Sequence, residues 1–199
     1  LSYRHSAYAD WLSDVLEALQ ISSALFVGSS GGGFFALKIA YHIPQHVRAL
    51  ILINPCGIVP FRFPLNIMRQ PPVAYSVAFA SRFVASRWMA YRLAKKNVAP
   101  NAIPSEENIH LAYLLLKHYI RHHPPGILPL RQLKAIQTPI LLMVSQQEPF
   151  FSPHKMIQRA NFVFDNLKTA IIEGVGHDIH VERPQFINES IHQFIASLS

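Results

Sequence analysis

Ser30 stands at the centre of Gly28-Ser29-Ser30-Gly31-Gly32, between the apolar run Leu25-Phe26-Val27 and the helical run Phe34-Phe35-Ala36-Leu37. A Gly-x-Ser-x-Gly turn between a strand and a helix strains its central residue and pushes the hydroxyl outward, so the residues two before and two after must be small. Gly28 and Gly32 meet that demand. A helix starting near Gly31 aims free N–H groups and its positive dipole end at the same point, which puts the Gly31 N–H where a carbonyl oxygen would gain negative charge. The chemistry on offer is nucleophilic acyl transfer. Glycine-rich turns of this kind also cradle phosphates, but this one lacks the Lys-Ser/Thr ending of a phosphate loop. Nor do Gly28, Gly31 and Gly33 follow the Gly-x-Gly-x-x-Gly order of a dinucleotide site.

A serine hydroxyl is a weak nucleophile at neutral pH, so Ser30 needs a base, and the base needs a partner that fixes its tautomer. His177 follows a late apolar strand in Glu173-Gly174-Val175-Gly176-His177, where the glycines permit a tight loop. Glu148 follows another in Val144-Ser145-Gln146-Gln147-Glu148-Pro149. Both loops, like the serine turn, leave from the C-terminal ends of strands, where open parallel sheets place their sites.

The elements that must hold these residues are legible from periodicity. Residues 8–20 carry Trp11, Leu12, Val15, Leu16 and Leu19 at helical spacing with Asp10, Asp14 and Glu17 on the other side. Strands are expected at 24–27, 47–53, 139–144 and 168–172, and helices at 34–41, 155–162 and 184–198, the last with Phe186, Ile187, Ile191, Phe194, Ile195 and Leu198 inward. This alternation predicts an α/β fold with a mostly parallel sheet and helices on both faces. Between about 57 and 126 the pattern changes. Prolines at 60, 64, 71, 72, 100 and 104 punctuate two helical runs, 73–96 and 105–122, read as one helical insertion over the sheet, and His123-Pro124-Pro125-Gly126 returns the chain to it.

With 199 residues, half of them apolar, the chain can bury one good core, and a single domain with one large insertion is expected. No run of about 18 apolar residues free of charge is present, and no signal-peptide pattern. Cys56 is the only cysteine, which rules out an intramolecular disulfide and makes a reducing, cytoplasmic setting the default. The net charge of +7 raises nucleic-acid binding, but the basic residues are scattered. Their densest set, Arg82, Arg87, Arg92, Lys95 and Lys96, reads as a solvated helix face, so no nucleic-acid partner is expected.

The turn at Ser30, the run Ala49-Leu50-Ile51-Leu52-Ile53-Asn54-Pro55, the strand Thr138-Pro139-Ile140-Leu141-Leu142-Met143-Val144 with its acid loop, and Gly176-His177 followed by Val181-Glu182-Arg183-Pro184 together resemble the α/β-hydrolase family, in the order Ser, Glu, His. The resemblance covers essentially the whole chain and is nearest to esterase-like members with a helical cap. It implies a triad of Ser30, Glu148 and His177 with Gly31 in the oxyanion hole, no cofactor or metal, and a small acyl substrate such as a carboxylic ester. Two departures accompany it. Ser145 and Glu148 stand where the family commonly has Gly and Asp; Asp165 and Asp178 are rival carboxylates, Asp165 on the wrong side of the sheet and Asp178 pointing away, and Asn54, at the alternative acid position, is not a carboxylate. The resemblance also implies strands and a second oxyanion donor ahead of Leu1. The chain therefore reads as the C-terminal portion of a longer protein, with an apolar sheet edge uncovered and little activity by itself. His118, His122 and His123 are expected to be cap residues rather than zinc ligands, and His180 a loop residue. Phe79, Phe83, Trp88 and Tyr91 are expected beneath the cap over an apolar acyl pocket, with membrane contact the lesser reading. The function expected is serine hydrolysis of a small ester; the alternative is a slow-turnover ligand-binding signalling protein on the same scaffold.

Overall fold

The structure, a computed structural model, describes residues 7–62, 76, 79–80, 83–118 and 125–198. Arg82, His122, His123 and the prolines at 64, 71, 72 and 124, on which expectations above rest, lie outside the described residues. Among the described residues four strands, β1 (Ala24–Ser29), β2 (Val47–Ile53), β3 (Ile140–Ser145) and β4 (Leu167–Ile172), form one sheet in that order, every neighbouring pair parallel. The helices are α1 (Ala7–Ala18), α2 (Gly31–His42), α3 (Arg87–Lys95), α4 (Glu106–His118), α5 (Leu130–Lys134), α6 (Pro153–Val163), α7 (Ile179–Glu182) and α8 (Pro184–Ala196).

Successive strand residues point to opposite faces, and the apolar runs of β2 and β3 serve two cores at once. Leu50, Leu52, Ile140, Leu142 and Val144 pack with Phe34 and Leu37 of α2, Leu133 of α5 and Met156 and Ala160 of α6. Ala49, Ile51, Ile53, Leu141 and Met143 pack on the other side with Ile179 of α7 and Ile187 and Phe194 of α8. Each fully buried side chain of this size contributes about 1.5–3 kcal/mol, so the central strands hold the sheet. The outer strands are less enclosed: Val27 of β1 and Ile171 of β4 are exposed.

Several expectations shift. The helical run expected over 73–96 is interrupted at Ala85 and Ser86, because Ser86 adopts an extended conformation and caps α3, its Oγ accepting from Met89 N–H (3.3 Å). The short helices α5 and α7 have no clear periodic signal; each is anchored by one buried residue, Leu133 and Ile179. On α1 Ala9 and Leu16 are buried while Trp11 is exposed, and on α8 Phe186 is exposed. Helices α3 and α4 pack on each other through Ala90, Ala94 and Ala112, small side chains that permit close approach, together with Ile109, and an exposed Arg87–Glu106 ion pair links their first turns.

The crossing from β1 into α2 takes a single residue, Ser30, and space there is short. A Cβ at Gly28 would fall 2.6 Å from Gly32 O, and one at Gly33 would fall 2.5 Å from the Pro55 side chain. At Gly32 a Cβ would meet nothing within 4 Å. The need for glycine therefore lies at Gly28 and Gly33, not at Gly32 as the turn pattern suggests: it is the Gly32 backbone that crowds Gly28. Gly28→Ala is expected to lower stability by about 1–3 kcal/mol through overpacking, whereas Gly32→Ala leaves it unchanged or raises it by up to about 1 kcal/mol. Urea denaturation of the two variants checks this, and equal losses would refute it.

Candidate active site

Ser30 has φ 51° and ψ −115°, a strained backbone conformation for a residue with a side chain, of the kind that costs about 1–3 kcal/mol. Neighbouring bonds hold it there. Its N–H donates to Ile53 O (2.9 Å), and its carbonyl accepts from Gly33 N–H (3.1 Å) and Cys56 N–H (2.8 Å). Gly31 opens α2, so its N–H is one of the first-turn donors that no helical carbonyl can satisfy. Ser30 Oγ lies 3.9 Å from Cys56 Sγ, either atom able to donate.

On the far side of the sheet's C-terminal edge, His177 Nδ1 lies 2.6 Å from Glu148 Oε2, both side chains buried. Glu148 Oε1 accepts from Phe150 N–H (2.7 Å). With Oε1 taken by Phe150 N–H, an ionised Glu148 offers Oε2 to Nδ1–H, and a neutral ring in that tautomer presents Nε2 as a lone-pair acceptor. The Phe150 ring meets the imidazole edge-on, centroids 4.8 Å apart, and restricts its rotation. Asp165 lies at the N-terminal end of β4, away from this edge. Asp178 also lines the cavity that His177 borders, and burial pushes its carboxyl up from its ordinary value. The contact to Nδ1 nevertheless comes from Glu148.

Asn54, set aside in the sequence because it is not an acid, has a large part in this arrangement. It is fully buried at φ 41°, a left-handed conformation that asparagine tolerates better than most residues. Its Nδ2 donates to His177 O (2.8 Å) and to Ser145 Oγ (3.2 Å), and its Oδ1 accepts from Ser145 N–H (2.9 Å). One amide thereby joins the ends of β2 and β3 to the backbone of His177. An asparagine ending an apolar strand is the only sequence trace of this role, and it does not say which strand the amide will reach.

Ser30, Gly31 and His177 share the wall of one cavity of about 450 Å³. Its apolar lining comes from Phe61 and Phe150 on loops, Leu93 of α3, and Leu111 and Leu115 of α4; Asn97, Asn108 and Asp178 add polar groups. The aromatic residues expected beneath the insertion lie elsewhere, with Phe79 66 %, Phe83 75 % and Trp88 67 % exposed. Helical periodicity marks an apolar stripe without saying which way it turns, and here the aliphatic side chains of α3 and α4 face the cavity. Among the described residues no group of three or more His, Cys, Asp or Glu could hold a metal ion, and no helix is long and apolar enough to cross a membrane.

Cys56 also lines the cavity, but burial pushes its thiol up to about 12, so it stays protonated and unreactive near neutral pH. Iodoacetamide is expected to leave Cys56 unmodified in the folded protein and to alkylate it after unfolding, read by mass spectrometry. For Asn54, both Asn54→Ala and Asn54→Asp remove the donor to His177 O. Each buried group left without a partner costs about 1–3 kcal/mol, so both variants are expected to be clearly less stable in urea melts. An Asn54→Asp protein as stable as the wild type would refute the role assigned to the amide nitrogen.

Comparison with known proteins bears on the family and the fold. The model of the alpha/beta hydrolase family matches residues 1–190. An uncharacterized carboxylesterase, nap, of Bacillus subtilis is 22% identical over 205 residues, covering 94% of this chain and 61% of its own length. Carboxylesterase YbfK of the same species is 20% identical over 194 residues, covering 94% and 62%. The chain thus spans about three fifths of the length of these curated relatives. The crystal structure of the YbfK carboxylesterase superposes with a TM-score of 0.78 at 19% identity, over 98% of this chain and 67% of that one. A serine held at positive φ between β1 and α2, a His–Glu pair beyond β3 and β4, and a family match over nearly every residue lead to one conclusion: the chain belongs to the alpha/beta hydrolase family.

Proposed function

We propose that the protein is a serine hydrolase that cleaves a small carboxylic ester or related acyl substrate through an acyl-enzyme, with Ser30, His177 and Glu148 as its triad. The observation that carries this reading is the buried His177–Glu148 pair at the wall of a cavity shared with the strained Ser30. The relatives named as carboxylesterases lend it support. In this scheme Ser30 Oγ attacks the ester carbonyl carbon while His177 Nε2 takes the hydroxyl proton. Glu148, already on Nδ1, holds the ring in place and stabilises the imidazolium. The oxygen of the tetrahedral intermediate gains negative charge beside Gly31 N–H. Collapse breaks the bond to the alcohol, which leaves with the proton from Nε2. Water then attacks the acyl-serine, His177 taking its proton, and the carboxylic acid departs as Ser30 is restored.

Residues 57–126 serve in this proposal as a helical cap, because α3 and α4 supply much of the cavity's apolar wall. That wall suits an aliphatic or aromatic acyl or alcohol group rather than a highly charged one, and desolvating it is the main source of binding energy. No metal or redox cofactor enters the scheme.

A fluorophosphonate probe on the full-length protein tests the assignment. The adduct is expected on Ser30 and to vanish in Ser30→Ala and His177→Ala, while Glu148→Gln slows labelling by about 10³–10⁴-fold. An adduct elsewhere, or none on folded wild-type protein, would defeat the hydrolase reading and leave ligand binding without turnover as its replacement.

A further inference from the structure

The loop that carries His177 is joined to the β2–β3 insertion through one side chain. Glu182, the last residue of α7, accepts from Gly176 N–H with Oε1 (2.7 Å) and from Ala99 N–H with Oε2 (2.9 Å). Gly176 directly precedes His177; Ala99 lies in the turn that follows α3. A backbone bond reinforces the link, Asp178 N–H donating to Asn97 O (2.9 Å). Between these bonds the two backbones touch: a Cβ at Gly176 would lie 2.6 Å from both Asn97 O and Val98 O. The residues on both sides of His177 are therefore tied to the turn 97–99. That turn borders the cavity, since Leu93 and Asn97 belong to its wall.

We infer that Glu182 is a positioning residue: its carboxylate locks the loop carrying the base to the insertion, so that the orientation of His177 and the wall against which substrate packs are set together. The inference rests on the Ser30–His177–Glu148 reading. Glu148 fixes the ring through Nδ1 and Asn54 holds the carbonyl of the peptide that follows His177, but neither reaches the N–H of that peptide or the N–H of Gly176. The approach of Nε2 to Ser30 depends on those groups, and Glu182 and Asn97 O hold them. Hydrogen bonds to a carboxylate are roughly twice as strong as neutral ones, and only a carboxylate can accept at both ends of so short a span. A glutamine of the same length accepts at one end and presents N–H to an N–H donor at the other. Shape alone is therefore not sufficient, and Gln is not a substitute. Seen this way, an occupant that presses on Leu93 or Asn97 acts on the base loop through the same two bonds.

The test compares Glu182→Gln and Glu182→Ala with wild type in the full-length protein. It reads the rate of fluorophosphonate labelling at Ser30, the folded fraction by thermal melting, and amide hydrogen exchange at Gly176 and Ala99. Both variants are expected to label about 10–100-fold more slowly at an unchanged folded fraction. Gln is expected to do no better than Ala, and exchange at both amides to speed up. Wild-type labelling in Glu182→Gln, or a loss that only follows the unfolded fraction, would overturn the inference, and so would unchanged exchange at the two amides. Should Glu182→Ala fail to fold, Glu182→Gln, which keeps the length of the side chain, decides alone. Absence of a Ser30 adduct on wild-type protein would instead strike the hydrolase reading, while the exchange measurement would still judge the latch by itself.

Discussion

Ser29 pairs with Ile53, Ile53 with Met143 and Met143 with Ala170, so a single row across four parallel strands sets where the chain leaves the sheet. From that row depart the turn with Ser30, the bend at Asn54, the loop with Glu148 and, beyond β4, the loop with His177. The side-chain period of a strand is two, and a slip of one residue in any pair would turn its buried face outward. Because β2 and β3 are apolar on both faces and packed on both, the register is held by two cores instead of one. The geometry of the site is thus a consequence of core packing about one side chain below it.

Against that frame of apolar packing, the polar groups at the C-terminal edge form a connected set. Glu148 joins His177 to Phe150 N–H, Asn54 joins His177 to Ser145, and Glu182 joins Gly176 to Ala99. Buried polar groups left unpaired are costly, and here the acceptors and donors around His177 find each other with little waste. The strain at Ser30 is carried by the same logic. Ile53 O, Gly33 N–H and Cys56 N–H pin its peptide groups, so the left-handed conformation is over-determined by its surroundings.

The insertion is held to the core unevenly. Ile58 and Val59 belong to the main core and Arg62 N–H donates to Phe150 O, whereas among the described residues its helices α3 and α4 meet the sheet domain at the turn 97–99 and across the cavity, and are joined to each other through three alanines, Ile109 and a surface ion pair. Exposed ion pairs add little, generally less than about 1 kcal/mol. Among the described residues, the placement of α3 and α4 over Ser30 rests on the contacts with the His177 loop and on the apolar cavity wall, which ties the shape of the cavity to those contacts.

Much of this was legible in the amino-acid order. Alternating apolar runs and helical periods announced a parallel sheet with helices on both faces, and glycine spacing marked the serine turn. The position of His177 and Glu148 after late strands named the pair that the fold brings to 2.6 Å. These signals are local, fixed by the period of a strand, the period of a helix and the steric needs of a turn. Four matters were decided only in three dimensions. They are the direction in which the aromatic stripe of the insertion turns, the place of Asp178 in the cavity wall, the amide of Asn54 and the carboxylate of Glu182. Asn54 meets Ser145 and His177 from 91 and 123 residues away, and Glu182 meets Ala99 from 83. Contacts at such separations arise from how packed elements are stacked, and no local pattern encodes them. The chain order therefore determined the fold and marked the candidate groups of the site, while tertiary packing determined which polar side chains hold them in place.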